Sequence, residues 1–539
     1  MRKIGSLCIL ALSCIGLVSS MGIYSYNNVE ARTVTAQATF NEEEMPKIKD
    51  AIVYEINSQV DWDNLLSGVT DGNWSSGKYS GESNICIRLN CNITSGTRLI
   101  ATNSSKSMEV DMNGYSLSST TKELVFGSKG TSPVSSETSV LDTVYIHGGN
   151  IEDTDIGFGS KCTKVYVDSL TSVGGSIKTS SEGSNSSTKT YIRNCTFSAS
   201  NASKTAISVD YSNTSQISNV RTSGYNTGIS YQYGTTYPDG DCFIKDSTIE
   251  NCKIGINEEH CSTGTVVYNV NIIGNNNEDG SVGIQAFTAR SSSEEIYLSD
   301  YADIRNCSIS GYDTAVTNTA GTLIVGDTTI SSVNNGLCSN GASVFMLKDS
   351  EVSGKESSDG YGIYSISNGC YVVNSTISGF NTGIYTDANM SYIVNSKLNN
   401  TSINIRSSCS NIYNCELLNA KIGVLSNDNT YSVVLNSSIV GSNVQGSSGV
   451  LNENGYTNIY GVSEEDYINK NLVSSSDSRD SVIKMISYAK EHDANYNTKG
   501  MNISNYENGI NATGGSYVTF SGIEIRDCLE NGIFSSGTS

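Results

Sequence analysis

From residue 306 onward the chain repeats itself every 19 to 25 residues, and no other feature narrows its possible folds so sharply. An Asn or Asp recurs at Asp168, Asn194, Asn219, Asp246, Asn269, Asn306, Asp327, Asp349, Asn374, Asn395, Asn414 and Asn436, with steps of 21, 22, 25, 21, 19 and 22 residues after Asn306. Internal periods of this size belong to stacked coils. The residue that follows is usually small, as in Ser169, Cys195, Ser247, Cys307, Thr328, Ser350, Ser375, Ser396, Cys415 and Ser437. Something restricts its volume in coil after coil. A Gly and an aliphatic residue follow nine positions after the Asn, as in Gly228-Ile229, Gly255-Ile256, Gly336-Leu337, Gly383-Ile384 and Gly423-Val424; Ala315-Val316 and Asn404-Ile405 are exceptions. Between these columns lie turns such as "GYNTG" (224–228), "GYDTA" (311–315) and "GFNTG" (379–383). Gly and Asn tolerate the positive φ that sharp corners require.

Each coil therefore reads as three short strands of alternating pattern joined by tight turns, with no helical period inside it. The small residue after the Asn faces inward, and equivalent side chains of successive coils lie about 4.8 Å apart. Ile377 then sits over Leu398, and the Asn column bonds amide to amide between coils. Stacked carboxylates repel, so the successive Asp327 and Asp349 are expected to face water or to shift their pKa. Leucine-rich repeats share the period but require leucines at fixed offsets, which are missing here.

The "N-[ST/C]-x-I" segments, such as "RNCTF" (193–197) and "RNCSI" (305–309), and the trailing "G-I" resemble those of the right-handed parallel β-helix proteins of the pectin-lyase-like superfamily. The resemblance runs over residues 85–452 and resumes near 498. It implies an all-β fold: a right-handed parallel β-helix solenoid of about a dozen coils, with an N-terminal cap and a short helical insertion near the C-terminus. The organisation it suggests is a signal peptide and cleavage region (1–38), a cap (39–84) and the β-helix (85–452). A loop and helix interruption (453–497) and further coils (498–539) follow. In "YEINSQVDWDNLLSG" (54–68), Trp62, Leu65 and Leu66 share one helical face, as a cap over an open rung needs. In "SRDSVIKMISYAKEH", Val482, Ile483, Ile486 and Ala489 are at helical spacing. The chain stops at "SSGTS" without a cap, as expected of a truncated chain.

Two basic residues, Arg2 and Lys3, precede an uncharged apolar run from Ile4 to Val18, the pattern of a secretory signal. Cleavage patterns end at Ala31 and at Ala38. No second run of membrane length follows, so a secreted or cell-surface, extracellular location is expected, with no transmembrane helix in the mature chain. A net charge of −21 repels phosphate backbones, and no Lys/Arg stripe offsets it; nucleic acid is excluded as a partner. Thirteen cysteines follow the signal, an odd number, so pairing within one chain is incomplete. Cys86/Cys91 and Cys409/Cys415 are close in sequence, and their pairing is left open.

Chemistry is harder to find. The resemblance implies grooves lined by carboxylates, basic residues and often calcium, yet "GHG" and "DD" segments are missing. Asp239 and Asp241 in "PDGD", and Glu278 and Asp279 in "NNNEDG", are the candidate Ca2+ ligands; no other cofactor is expected. Glu258, Glu259 and His260 form the candidate acid–base group. His147 falls in the Asn column, a structural position, and His492 lies beside Glu491 and Asp493. No Cys/His spacing fits zinc.

If Ile384 points inward, its successor points outward, and this outer line contains Tyr364, Tyr385 and Arg406 side by side. Such a row suits a polysaccharide or surface glycan. The leading expectation is an exported bacterial surface protein, a non-catalytic adhesin or glycan-binding scaffold. A β-helix polysaccharide lyase or glycoside hydrolase is the alternative, and a structural spacer of a larger surface protein the third.

Overall fold

The computed structural model describes residues 40, 42–67, 82–96, 99–100, 107–126, 141–158, 162–179, 188–200, 203–210, 214–232, 242–259, 265–287, 301–319, 321–340, 344–355, 359–367, 369–388, 390–427, 430–469 and 476–537. The chain is an all-β, right-handed parallel β-solenoid of about 14 coils. It divides into two compact units, residues 39–309 and 310–539. In both, a coil has a first strand that ends at the Asn corner, a short second strand, and a third strand that carries the Gly-aliphatic pair.

In the N-terminal unit the first strands stack in register, with Tyr145, Tyr166, Tyr191, Gln216 and Phe243 in one line. The coils begin earlier than residue 85, because Ile52–Ile56 pairs in parallel with Asn84–Leu89. That strand hides in the sequence: Ile52 and Val53 are exposed, and of its apolar residues only Ile56 is fully buried. Helix α1 (Gln59–Leu65) starts at the N-cap Ser58, whose side chain accepts from the Asp61 N–H. It buries Trp62, Leu65 and, just beyond it, Leu66.

In the C-terminal unit Ile377 pairs with Leu398 and Leu398 with Leu417, while Ile363, Ile384, Ile405 and Val424 form a parallel column. All are wholly buried. The apolar outer side of the first-strand sheet is covered by the insertion, helices α2 (Glu464–Asn469) and α3 (Ser476–His492). Tyr467, Val482, Met485, Ile486 and Ala489 pack there against Tyr371, Tyr392 and Tyr413.

Three devices build the repeat. First, the Asn and Asp corners adopt the left-handed conformation, with φ of 50° at Asn374, 48° at Asn395 and 51° at Asp246. This backbone state excludes most residues but not Asn or Asp. Their side chains also form the expected ladder: Asn219 donates to Asn194 (2.8 Å), Asn395 to Asn374 (2.9 Å) and Asn414 to Asn395 (2.8 Å). In the coils at 141–173 the corner falls one residue later, at Gly148 and Ser169, because two 12-residue strands run straight through it. Asp168 and His147 are thus outer-face residues and not corner residues. Of the two successive aspartates, Asp327 is exposed; Asp349 is half-buried and accepts from Asn374 (3.1 Å) and from the Tyr488 hydroxyl.

Second, the small inward residue does more than save volume. Ser375 Oγ donates to the carbonyl of Val373 (2.8 Å) and accepts the N–H of Ser350 from the preceding coil (3.3 Å); Ser396 does the same for Val394 (2.9 Å) and Ser375 (3.2 Å). These hydroxyls satisfy corner N–H groups that the strand ladder cannot reach. Cysteine substitutes because its thiol also donates to the carbonyl two residues back, 3.0 Å in Cys195 and 3.3 Å in Cys415. Cys86, Cys91, Cys195, Cys409 and Cys415 are free thiols. Burial pushes Cys195 and Cys415 up to about 12. Third, the column glycines mark close approach. A Cβ on Gly362 would lie 2.4 Å from Ile377 Cγ2 and 2.6 Å from the Gly383 carbonyl oxygen.

Candidate functional site

Strand parity that sends Ile363, Ile384 and Ile405 inward sends Tyr364, Tyr385 and Arg406 outward, and parallel register aligns the three across successive coils. The rings of Tyr364 and Tyr385 stack with centroids 5.1 Å apart and planes 9° from parallel. Arg406 Cζ lies 5.3 Å from the Tyr385 ring centroid. This spacing is the inter-strand distance expressed in side chains. Tyr361, missed in the sequence, completes the group: it is 5.2 Å from Tyr364 and 5.8 Å from Tyr385. The available signal was its place in "YGIY", three residues before Tyr364.

The stacking changes what this row offers. Tyr385 has Tyr364 on one face and Arg406 on the other, so a sugar ring cannot lie flat on it. What remains are ring edges, phenolic hydroxyls and the Arg406 guanidinium, which pairs with no carboxylate among the described residues. Burial and the neighbouring Tyr385 raise the pKa of Tyr364, which keeps its hydroxyl a donor. The chemistry this row offers is hydrogen bonding, for which a planar guanidinium with five donors is well suited.

Of the candidate acid–base group, only the Glu258 side chain lies within the described residues. Glu258 lies two residues after the inward Ile256 and shares its parity. It is 3 % exposed, sits in register between Tyr231 and Ala286, and its Oε1 makes no hydrogen bond. Burial alone pushes its carboxyl up to about 8. A solute cannot reach it. The side chain of Glu259, and His260, Asp239 and Asp241 entirely, lie outside the described residues. Glu278 and Asp279 are exposed in a turn that includes two backbone bonds, Glu278 N–H to Asn275 O and Ser281 N–H to Glu278 O. Among the described residues no cluster of three potential metal ligands occurs.

His147 Nε2 donates to the Glu109 carboxylate (2.9 Å), and the ring lies 3.9 Å from Asp111 and stacks on Tyr145. His492, at the C-terminal end of α3, stacks on Tyr488 and contacts its carbonyl (2.9 Å). It borders a groove of about 610 Å³ whose lining includes Asp349, Glu351, Asn374, Asn395, Lys397 and Asp493. Asp493 accepts from Asn395 (2.8 Å), and the Lys499 N–H donates to Asn414. The groove is therefore the seam where the insertion is fastened to the Asn ladder. Among the described residues no helix is long and apolar enough to cross a membrane. Compared with known protein families, characterised proteins and solved structures, the chain has no significant match.

Proposed function

We propose that this protein is an exported, surface-exposed β-solenoid that binds a polysaccharide or surface glycan without transforming it, through the outer row Tyr361, Tyr364, Tyr385 and Arg406. The observation that carries this reading is the Arg406 guanidinium, which pairs with no carboxylate among the described residues and is held against stacked tyrosines in a chain with 54 acidic and 33 basic side chains. In so acidic a chain, a cation left without a carboxylate is available to a ligand. Its donors fit sugar hydroxyl or carboxylate oxygens, and the solenoid presents the row on rigid strands, so little ordering entropy opposes binding. A repeating scaffold also matches the repeating chemistry of a glycan chain. Screening of the mature chain on a glycan array tests the proposal. Binding to a defined glycan, lost in Tyr385→Ala and in Arg406→Ala proteins that melt like the parent, supports it; failure of the parent to bind any glycan overturns it.

A further inference from the structure

Phe40 and residues 42–49 belong to no helix or strand, yet they are fastened across the first-strand sheet of the N-terminal unit. Phe40 packs edge-on against Phe243, with centroids 4.9 Å apart, and lies 5.3 Å from Tyr268. Glu42 pairs with Lys245. The Glu43 N–H donates to Gln216 Oε1 (3.0 Å), and its carboxylate accepts from Lys164 Nζ and the Tyr166 hydroxyl, both at 3.1 Å. Met45 and Ile48 lie on Tyr145, Tyr166 and Tyr191. Because those landing residues come from successive coils, the segment crosses the strands and runs along the solenoid.

The attachment has the character of ligand recognition. Its carboxylates meet lysines, its apolar side chains meet aromatic rings, and its backbone adds no strand to the sheet. Burial pushes the Glu43 carboxyl up, but hydrogen bonds from Lys164 and Tyr166 and the charges of Lys164 and Lys189 outweigh it and hold the group below its usual range. The tyrosine rings beneath Met45 and Ile48 are 2 to 9 % exposed with the segment in place.

We propose that this face is a binding groove for an extended acidic peptide, with Phe40 and residues 42–49 as its resident occupant in cis. Two carboxylates gripped by Lys164 and Lys245, with an aromatic residue leading and aliphatic residues trailing, define the peptide it takes. Electrostatic complementarity of this kind sets specificity and register. A tethered occupant competes at a high effective concentration, so a free peptide enters the parent only in large excess and enters far more readily when the tethered one is weakened.

The probe is a fluorescein-labelled peptide of residues 39–50, titrated into the mature chain and into a Phe40→Ala/Glu42→Gln/Glu43→Gln variant of it. Binding at least tenfold tighter to the variant, abolished by adding Lys164→Glu and Lys245→Glu, is the expected result. No binding to a folded variant, equal binding to the parent, or binding that survives the lysine changes overturns the proposal. So does displacement of the label by an acidic oligosaccharide but not by unlabelled peptide. If the variant does not fold, the parent answers: excess unlabelled peptide must speed proteolytic cleavage within residues 40–49, and unchanged cleavage overturns the inference.

Discussion

Replacing Glu258 with glutamine isolates a single proton. The folded chain keeps that proton up to about pH 8, whereas the unfolded chain releases it near 4.5. Between those values the unfolded state binds fewer protons than the folded one, so stability falls as pH rises. The full contribution of the neutral carboxyl is present below pH 4.5 and is lost progressively toward pH 8. At about 1.4 kcal/mol per pKa unit, the penalty is about 3 kcal/mol at pH 7 and about 5 kcal/mol above pH 8. Glutamine keeps the shape and cannot ionise. The assay is urea unfolding of parent and Glu258→Gln proteins at half-unit steps from pH 4 to 9. The difference in unfolding free energy is expected to grow with pH in favour of the variant and to level off above pH 8. A difference that does not change with pH would refute the reasoning and place the carboxylate in contact with water.

Other predictions bear on the repeat itself. Ser375→Ala leaves the Ser350 N–H buried without its partner and is expected to cost about 1–3 kcal/mol in unfolding free energy; Ser375→Cys is expected to cost less, because cysteine already serves at Cys195 and Cys415. Gly362→Ala places a methyl 2.4 Å from Ile377 Cγ2 and is expected to lower the melting temperature, with an overpacking cost of about 1–3 kcal/mol. Gly157→Ala, where the nearest atom is Val125 Cγ2 at 3.5 Å, is expected to leave the melting temperature within a degree or two of the parent.

Much of the architecture was legible because a solenoid writes its contacts locally. Asn374 and Asn395 are neighbours in space for the same reason that they are 21 residues apart. The outer row of Tyr364, Tyr385 and Arg406 was legible from strand parity; the same parity, not applied to Glu258 in the sequence, puts it inside, two residues after Ile256. Proximity to Glu259 and His260 drew attention to it as an acid, whereas its environment makes it a buried neutral group. The serine ladder was read only as a limit on volume, since pattern alone does not say where a hydroxyl finds its acceptor. The covering segment at 40–49 left no periodic trace. Its anchor from Glu43 to Gln216 spans 173 residues, a separation at which sequence pattern carries no signal. That the tyrosine faces close on each other was likewise invisible, because ring orientation is decided by packing.

The glycan-binding account is tested most directly by measuring affinity, by calorimetry or affinity electrophoresis, for the best array glycan across four single variants. Tyr364→Ala, Tyr385→Ala and Arg406→Ala are each expected to weaken binding at least tenfold, about 1.4 kcal/mol. Tyr456→Ala is the control: it removes half of another stacked pair, Tyr456 and Tyr517 at 5.0 Å, which stands on the first-strand sheet away from the row. It is expected to bind like the parent. Equal affinity in all five proteins, or loss in Tyr456→Ala alone, would contradict the assignment of the outer row as the binding surface.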